Sequence, residues 1–166
     1  MTQPSNFPSL TLLYQKNVLI SEDHHPKIID FGNTSHPQFN GAQKFSGRST
    51  LGWTAPEAME EEGLATAEGD VWAFGMTALV CFMAVVPIFD PTVCSKELFT
   101  RKRPFKNTPR ICGVQIRIFK GHLPERPDGQ TTHFRMTENW WNTCRACWNH
   151  EPHARPQMSI VLKNIT

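Results

Sequence analysis

Apolar and polar positions fall in blocks along this chain, and each block predicts its own element. Val18-Leu19-Ile20 and Lys27-Ile28-Ile29 are short β-type runs on either side of the turn-rich Ser21-Glu22-Asp23-His24-His25-Pro26, a pattern that predicts a two-stranded hairpin. From Gly32 to Arg48 the chain is polar and rich in Asn, Ser, Gln, Gly and Pro, which is loop composition. Pro56-Glu57-Ala58-Met59-Glu60-Glu61-Glu62 predicts a short helix ending by Gly63, because proline suits a first helical turn and acids suit the positive end. The next helix is expected to start between Ala67 and Asp70 and to run through the apolar segment that follows. Past Pro104 helical spacing returns in Gly113–Lys120, Glu138–Trp148 and Met158–Ile165. With no internal repeat or low-complexity tract, the pattern reads as α+β, mainly α.

The apolar segment needs a decision. Val71 to Phe89 is a run of 19 residues without a charge, long enough on length alone to span a bilayer. Gly75, Thr77 and Pro87 lie inside it, and a helix that is apolar all round is also what the centre of a large soluble lobe requires. A buried helix is therefore expected, with no membrane span.

Composition narrows the class without naming a partner. Of 166 residues, 39% are hydrophobic and 19% charged, as in an ordinary globular protein. A chain of this length buries about 70% of its extended surface. A net charge of +2 supplies no field that selects nucleic acid or an acidic surface. The basic residues Arg101, Lys102, Arg103, Lys106, Arg110, Arg117, Lys120 and Arg126 fall in one stretch, read as a solvated face and not a nucleic-acid groove. Five cysteines without framework spacing indicate a reducing, cytoplasmic setting. Met1–Ser9 has no charged segment leading into an apolar core, so no signal peptide is expected.

The chemistry is carried by two short words in order. Asp30-Phe31-Gly32 closes the run Lys27-Ile28-Ile29, and Ala55-Pro56-Glu57 follows, with 28 residues from Asp30 to Glu57 inclusive. Asp70-Val71-Trp72-Ala73-Phe74-Gly75 comes next, and Cys147-Trp148-Asn149-His150-Glu151-Pro152-His153-Ala154-Arg155-Pro156 lies near the end. Together these resemble the D-F-G and A-P-E words that bracket a protein kinase activation segment, with the C-W-x-x-x-P-x-x-R-P of tyrosine kinases and tyrosine-kinase-like families. The resemblance implies a kinase C-terminal lobe over residues 16–166. It implies that Asn17 and Asp30 bind the nucleotide through Mg²⁺, a hard cation that a carboxylate and a carboxamide oxygen suit. The bland alternative is that Asn17 caps a turn and Asp30 starts one. The resemblance also implies that Thr50 and Trp53 shape a substrate shelf for serine/threonine hydroxyls. Glu57, Asp70 and Arg155 would be structural, with Arg155 holding Glu57 through a two-pronged ion pair.

Departures from the family pattern matter as much. Counting back from Asn17, the position of the catalytic base holds Leu12, with Leu10 and Thr11 in place of the His and Arg of H-R-D. Leucine accepts no proton, so no residue here is assigned a catalytic role. The residues before it leave no room for the glycine-rich loop or the phosphate-binding lysine, and Met1–Gln15 reads as a non-homologous leader. Inside the central helix the pattern would pass from Gly75-Met76-Thr77-Ala78-Leu79 directly into Glu97-Leu98-Phe99-Thr100, but the 17 residues Val80–Lys96 intervene. An intron read through in frame opens on GT, as valine codons do, and closes on AG, as one lysine codon does. We therefore expect both Met1–Gln15 and Val80–Lys96 to come from unspliced sequence, the alternative being a genuine insertion.

Two sharper readings are set aside. Cys144-x-x-Cys147 and His150-x-x-His153 imitate a zinc ligand set, but only Trp148 and Asn149 separate the pairs where about a dozen residues let a chain fold back. Tyr14, the only tyrosine, lies outside the activation segment, which excludes tyrosine phosphorylation there. Two functions remain: a fragment of an ATP- and Mg²⁺-dependent protein kinase, nearly inert alone, or a non-catalytic binding module that meets a protein partner through the activation segment and the basic face.

Overall fold

The computed structural model describes residues 18–23, 25–28, 52–60, 66–83, 105, 108, 110–132 and 134–165. The hairpin forms where the two short apolar runs placed it. Strand β1 (Val18–Ile20) pairs antiparallel with β2 (Pro26–Ile28) in the register Val18↔Ile28, Leu19↔Lys27, Ile20↔Pro26. Ser21 closes the turn, donating both its N–H (3.0 Å) and its hydroxyl (2.8 Å) to the carbonyl of His25. Pro26, which has no N–H to give, opens the second strand, a place where a two-stranded ribbon tolerates it.

The remainder is helical. Helix α1 (Ala67–Met83) begins where the Thr66 hydroxyl accepts the Gly69 N–H at 3.0 Å, and Glu68 and Asp70 sit in its positive first turn. Val71, Trp72, Met76, Leu79 and Val80 are all buried, so this apolar stretch is the core's axis. No helix among the described residues is long and apolar enough to cross a membrane. Helix α2 (Ile111–Phe119) buries Val114 and Ile118 and exposes Ile116 and Phe119. It stops at Gly121, whose φ of +76° allows a Schellman turn: Gly121 N–H reaches the Ile118 carbonyl, and His122 N–H that of Arg117. Helix α3 (Glu138–Cys147) is capped by Thr137, whose hydroxyl accepts the Trp140 N–H. Helix α4 (Met158–Ile165) turns Val161 inward. Helix α3 packs against both α1 and α4, and the core they share also takes Val114 and Ile118 from α2.

One expected element differs. The acid-rich segment after Pro56 makes only a 3₁₀ turn, Pro56–Met59, and Glu60 is already extended (φ −69°, ψ 161°). Its hydrogen bond runs from Ala58 N–H back to the Ala55 carbonyl, three residues away, which is the tighter helix. The segment's hold on the fold comes from one of its side chains, described next.

Candidate functional site: a buried guanidinium clamp

Glu57 and Arg155 are 98 positions apart, yet their side chains meet head-on. Arg155 Nη1 donates to Glu57 Oε1 at 2.6 Å and Nη2 to Oε2 at 2.8 Å, the fork-on-fork geometry that makes arginine–carboxylate pairs specific. Two backbone carbonyls take further N–H groups of the guanidinium. Nε donates to the Asn149 carbonyl at 2.8 Å, and Nη1 also reaches the Glu68 carbonyl at 2.8 Å. The guanidinium carbon lies 5.1 Å from the centre of the Trp72 ring. The Arg155 side chain is 0% exposed and that of Glu57 24%. A charge taken out of water must be matched by such partners, and here one cation joins the 3₁₀ turn, the start of α1 and the loop after α3.

Local structure delivers each partner. Pro152 starts a 3₁₀ turn, Pro152–Ala154, whose end presents Arg155 with extended backbone (φ −73°, ψ 143°). Asn149 is shaped by its own side chain, whose Oδ1 accepts the Glu151 N–H at 3.0 Å. Trp53 and Thr54 are buried ahead of the clamp, and Ala55 and Pro56 are buried with them. Asp70 lies in the first turn of α1, with its N–H donated to the Thr66 carbonyl. So Trp53, Glu57, Asp70 and Arg155 all stand on described residues, and Glu57 and Arg155 are brought together. Asn17, Asp30 and Thr50 lie outside the described residues. Motif reasoning named the ion pair; it did not name Asn149, Glu68 or Trp72. The two backbone acceptors leave no signal in residue identity. Trp72 had one, sitting one turn into the helix that starts beside Glu68.

The second buried polar feature is the thiol pair. Cys144 and Cys147 are 1% and 0% exposed and face the core from α3, while His150 and His153 are exposed. Among the described residues no group of three His, Cys, Asp or Glu converges to hold a metal ion. Burial, reinforced by the neighbouring Cys147, pushes the Cys144 thiol from its ordinary 9.0 up to about 12. Burial likewise lifts Cys147 to about 11, with Arg155 pulling the other way. Above pH 9 the unfolded chain releases these protons and the folded chain keeps them, so stability falls as pH rises. The slope approaches about 1.4 kcal/mol per pH unit for each thiol until its folded value is reached. Urea midpoints should therefore drop between pH 9 and 11. At pH 8 iodoacetamide should label exposed Cys112 in the native chain and reach Cys144 and Cys147 only after denaturation; a flat alkaline profile would contradict this.

The end of α1 bears on the interrupted pattern. Val80 is 2% exposed, the Phe82 ring meets Trp140 edge-on with centroids 5.0 Å apart, and the Phe82 carbonyl accepts from Arg135 Nη2 at 3.3 Å. The first four residues of Val80–Lys96 thus form the helix's last turn. Joining Leu79 directly to Glu97 would bring Glu97, Leu98, Phe99 and Thr100 to that turn, with Phe99 falling at the register of Phe82.

With this geometry in view, comparison with known proteins identifies the class. The chain belongs to the protein tyrosine and serine/threonine kinase family, whose profile matches residues 12–165. It is 28% identical over 155 residues to the megakaryocyte-associated tyrosine-protein kinase of Mus musculus, covering 92% of this chain and 25% of that protein. It is 30% identical over 159 residues to mitogen-activated protein kinase kinase kinase 12 of Rattus norvegicus, covering 92% and 14%. With receptor-interacting serine/threonine-protein kinase 4 of Homo sapiens it shares 26% over 146 residues, covering 84% and 15%. The chain therefore spans a quarter or less of the length of these relatives.

Proposed function

We propose that these residues are the lower-lobe portion of a tyrosine-kinase-like enzyme whose complete form transfers the γ-phosphoryl group of ATP to serine or threonine hydroxyls of cytoplasmic proteins. The observation that carries this is the Glu57–Arg155 clamp. It fixes the stretch Trp53–Met59 to the base of the lobe, where a protein substrate would be aligned. Positioning of this kind supplies much of the rate in phosphoryl transfer. Thr50 and Trp53 would form the shelf beside the acceptor hydroxyl. Asn17 and Asp30 offer a carboxamide oxygen and a carboxylate, a donor set that fits Mg²⁺. When bound, the ion would neutralise charge on the phosphates.

Alone, the chain is inert on this reading, because Leu12 stands at the base position and the 166 residues carry no glycine-rich loop. The test is a chimera that places residues 16–165 behind the upper lobe and H-R-D loop of a related kinase. Mg²⁺-dependent transfer is expected, lost about a hundredfold or more on Asp30→Ala, while the unfused chain shows none. A chimera that folds and stays inactive would overturn the assignment. The competing role, a non-catalytic module that occupies a kinase partner, is favoured by a clamp kept intact where the base is missing. Mass spectrometry of the endogenous N-terminus separates the two: a start at Met1 supports the module, an upstream start the enzyme.

We also propose that Val80–Lys96 is dispensable. Transcript reads should join the Leu79 codon to that of Glu97. A chain lacking 80–96 should fold at least as stably, since Phe99 would inherit the Trp140 contact. Abundant reads across the whole segment, with loss of folding on its deletion, would establish it as genuine.

A further inference from the structure

A cleft of about 460 Å³ opens between the outer face of α3 and the loop that leaves α2, within the size range of ligand pockets. It borders the clamp, sharing Trp72 and Asn149 with it, but has no part in the proposed catalysis. Its walls include Trp72 and Trp148, each 1% exposed, whose indole N–H groups are buried without a hydrogen-bond partner. Polar side chains on the exposed walls are all donors or neutral: Asn142, Arg145, Asn149 and His150, with no carboxylate among the lining residues. The Arg145 guanidinium has neither an ion pair nor a hydrogen bond among the described residues. Asn149 commits its Oδ1 to the Glu151 N–H, which leaves its amide NH₂ to donate. Leu123, also lining the cleft, is 37% exposed and gives it an apolar end.

We propose that this cleft binds a peptide through a phosphoserine or phosphothreonine, with the phosphate on Arg145 and the Asn149 amide and a neighbouring apolar residue against Leu123. Charge complementarity selects the phosphate: a guanidinium unpaired among the described residues, beside amide donors and with no acid among the cleft's lining residues, matches a dianion with three acceptor oxygens. The open, exposed walls and the apolar end favour a chain over a small ion. The inference is independent of the kinase reading, because it is tested by binding alone.

The probe is a short fluorescein-labelled peptide carrying one phosphoserine followed by leucine, titrated by anisotropy against the full chain held on a soluble carrier. Binding is expected, with the serine peptide about tenfold weaker or worse and a fall in affinity as salt rises. Arg145→Glu should weaken the phosphopeptide by about tenfold or more with an unchanged melting profile, as Arg145 is exposed. Asn142→Asp, which adds an acid to the same wall, should act in the same direction and serves if the first variant does not fold. Free phosphoserine should compete only weakly. Equal binding of phosphorylated and plain peptides, no binding of either, or indifference to both substitutions would overturn the proposal; in that last case Arg145 serves only the end of α3. Full competition by free phosphoserine would also overturn it, because the site would then be one for small anions.

Discussion

Replacing Arg155 with alanine is expected to cost about 3–5 kcal/mol of folding free energy, the range for removing one partner of a buried ion pair. Three separate losses add to reach it. The Glu57 carboxylate, 24% exposed, is left without its two donors. The carbonyls of Asn149 and Glu68 lose theirs as well. The Trp72 ring loses the guanidinium stacked 5.1 Å from its centre. Solvent soothes Glu57 in part, which argues against the top of the range for the carboxylate alone, but the orphaned carbonyls each add about 1 kcal/mol or more. The reciprocal change Glu57→Gln keeps the shape and removes the countercharge, stranding a guanidinium that is 0% exposed. It should destabilise strongly too, although one amide oxygen can still accept. Arg155→Lys keeps the charge but offers a compact ammonium that cannot reach Glu57 and two carbonyls together, so it should rescue little. Urea unfolding of the three variants checks this. A loss under about 1 kcal/mol for Arg155→Ala would mean the pair behaves as a surface contact.

How much of this was legible beforehand depends on where each interaction keeps its information. The hairpin was legible because two short β-type apolar runs flank a cluster of turn residues. Helices α2, α3 and α4 came within two residues at each end, because one face of each is apolar at helical spacing. Helix α1 has no such face; Gly75, Thr77 and Pro87 in its apolar run favoured a buried helix over a membrane span, and its buried positions on every side agree. The Glu57–Arg155 pair was legible only through the flanking words, since nothing local in either segment announces a partner 98 positions away. What stayed hidden depends on backbone atoms or on close approach. Acid content and Pro56 argued for a helix through Glu62, yet Glu60 is extended and the turn ends at Met59. The shared carbonyls and the cleft beside Arg145 stayed hidden, since each is defined by where the chain returns to itself. Asn17, Asp30 and Thr50, read from their motifs, lie outside the described residues.

Gly75 shows the same point at the helix crossing, and Gly75→Ala is expected to destabilise the chain by about 2 kcal/mol, within the range for overpacking a core. In an exposed helix the change would gain about 1 kcal/mol from propensity. Here a β-carbon would lie 2.6 Å from Trp148 Nε1, 2.9 Å from Cys147 Cβ and 3.2 Å from Trp148 Cδ1. Those atoms belong to a fully buried indole and to a β-carbon fixed to the α3 backbone, so neither can swing away. Helices α1 and α3 must separate, and the cost falls on the whole core they share with α4. Gly69, in the same helix, is the control: its added β-carbon meets nothing closer than the Thr66 hydroxyl at 3.3 Å, so Gly69→Ala should change stability by no more than about 0.5 kcal/mol. Trp148→Phe removes the indole nitrogen nearest to Gly75 and leaves the Cys147 contact. The double variant Gly75→Ala/Trp148→Phe should therefore be more stable than the sum of the two single losses by about 1 kcal/mol, a coupling a double-mutant cycle resolves. Strict additivity would show that α1 and α3 already have slack at this crossing, and that glycine is kept at position 75 for some reason other than contact with Trp148.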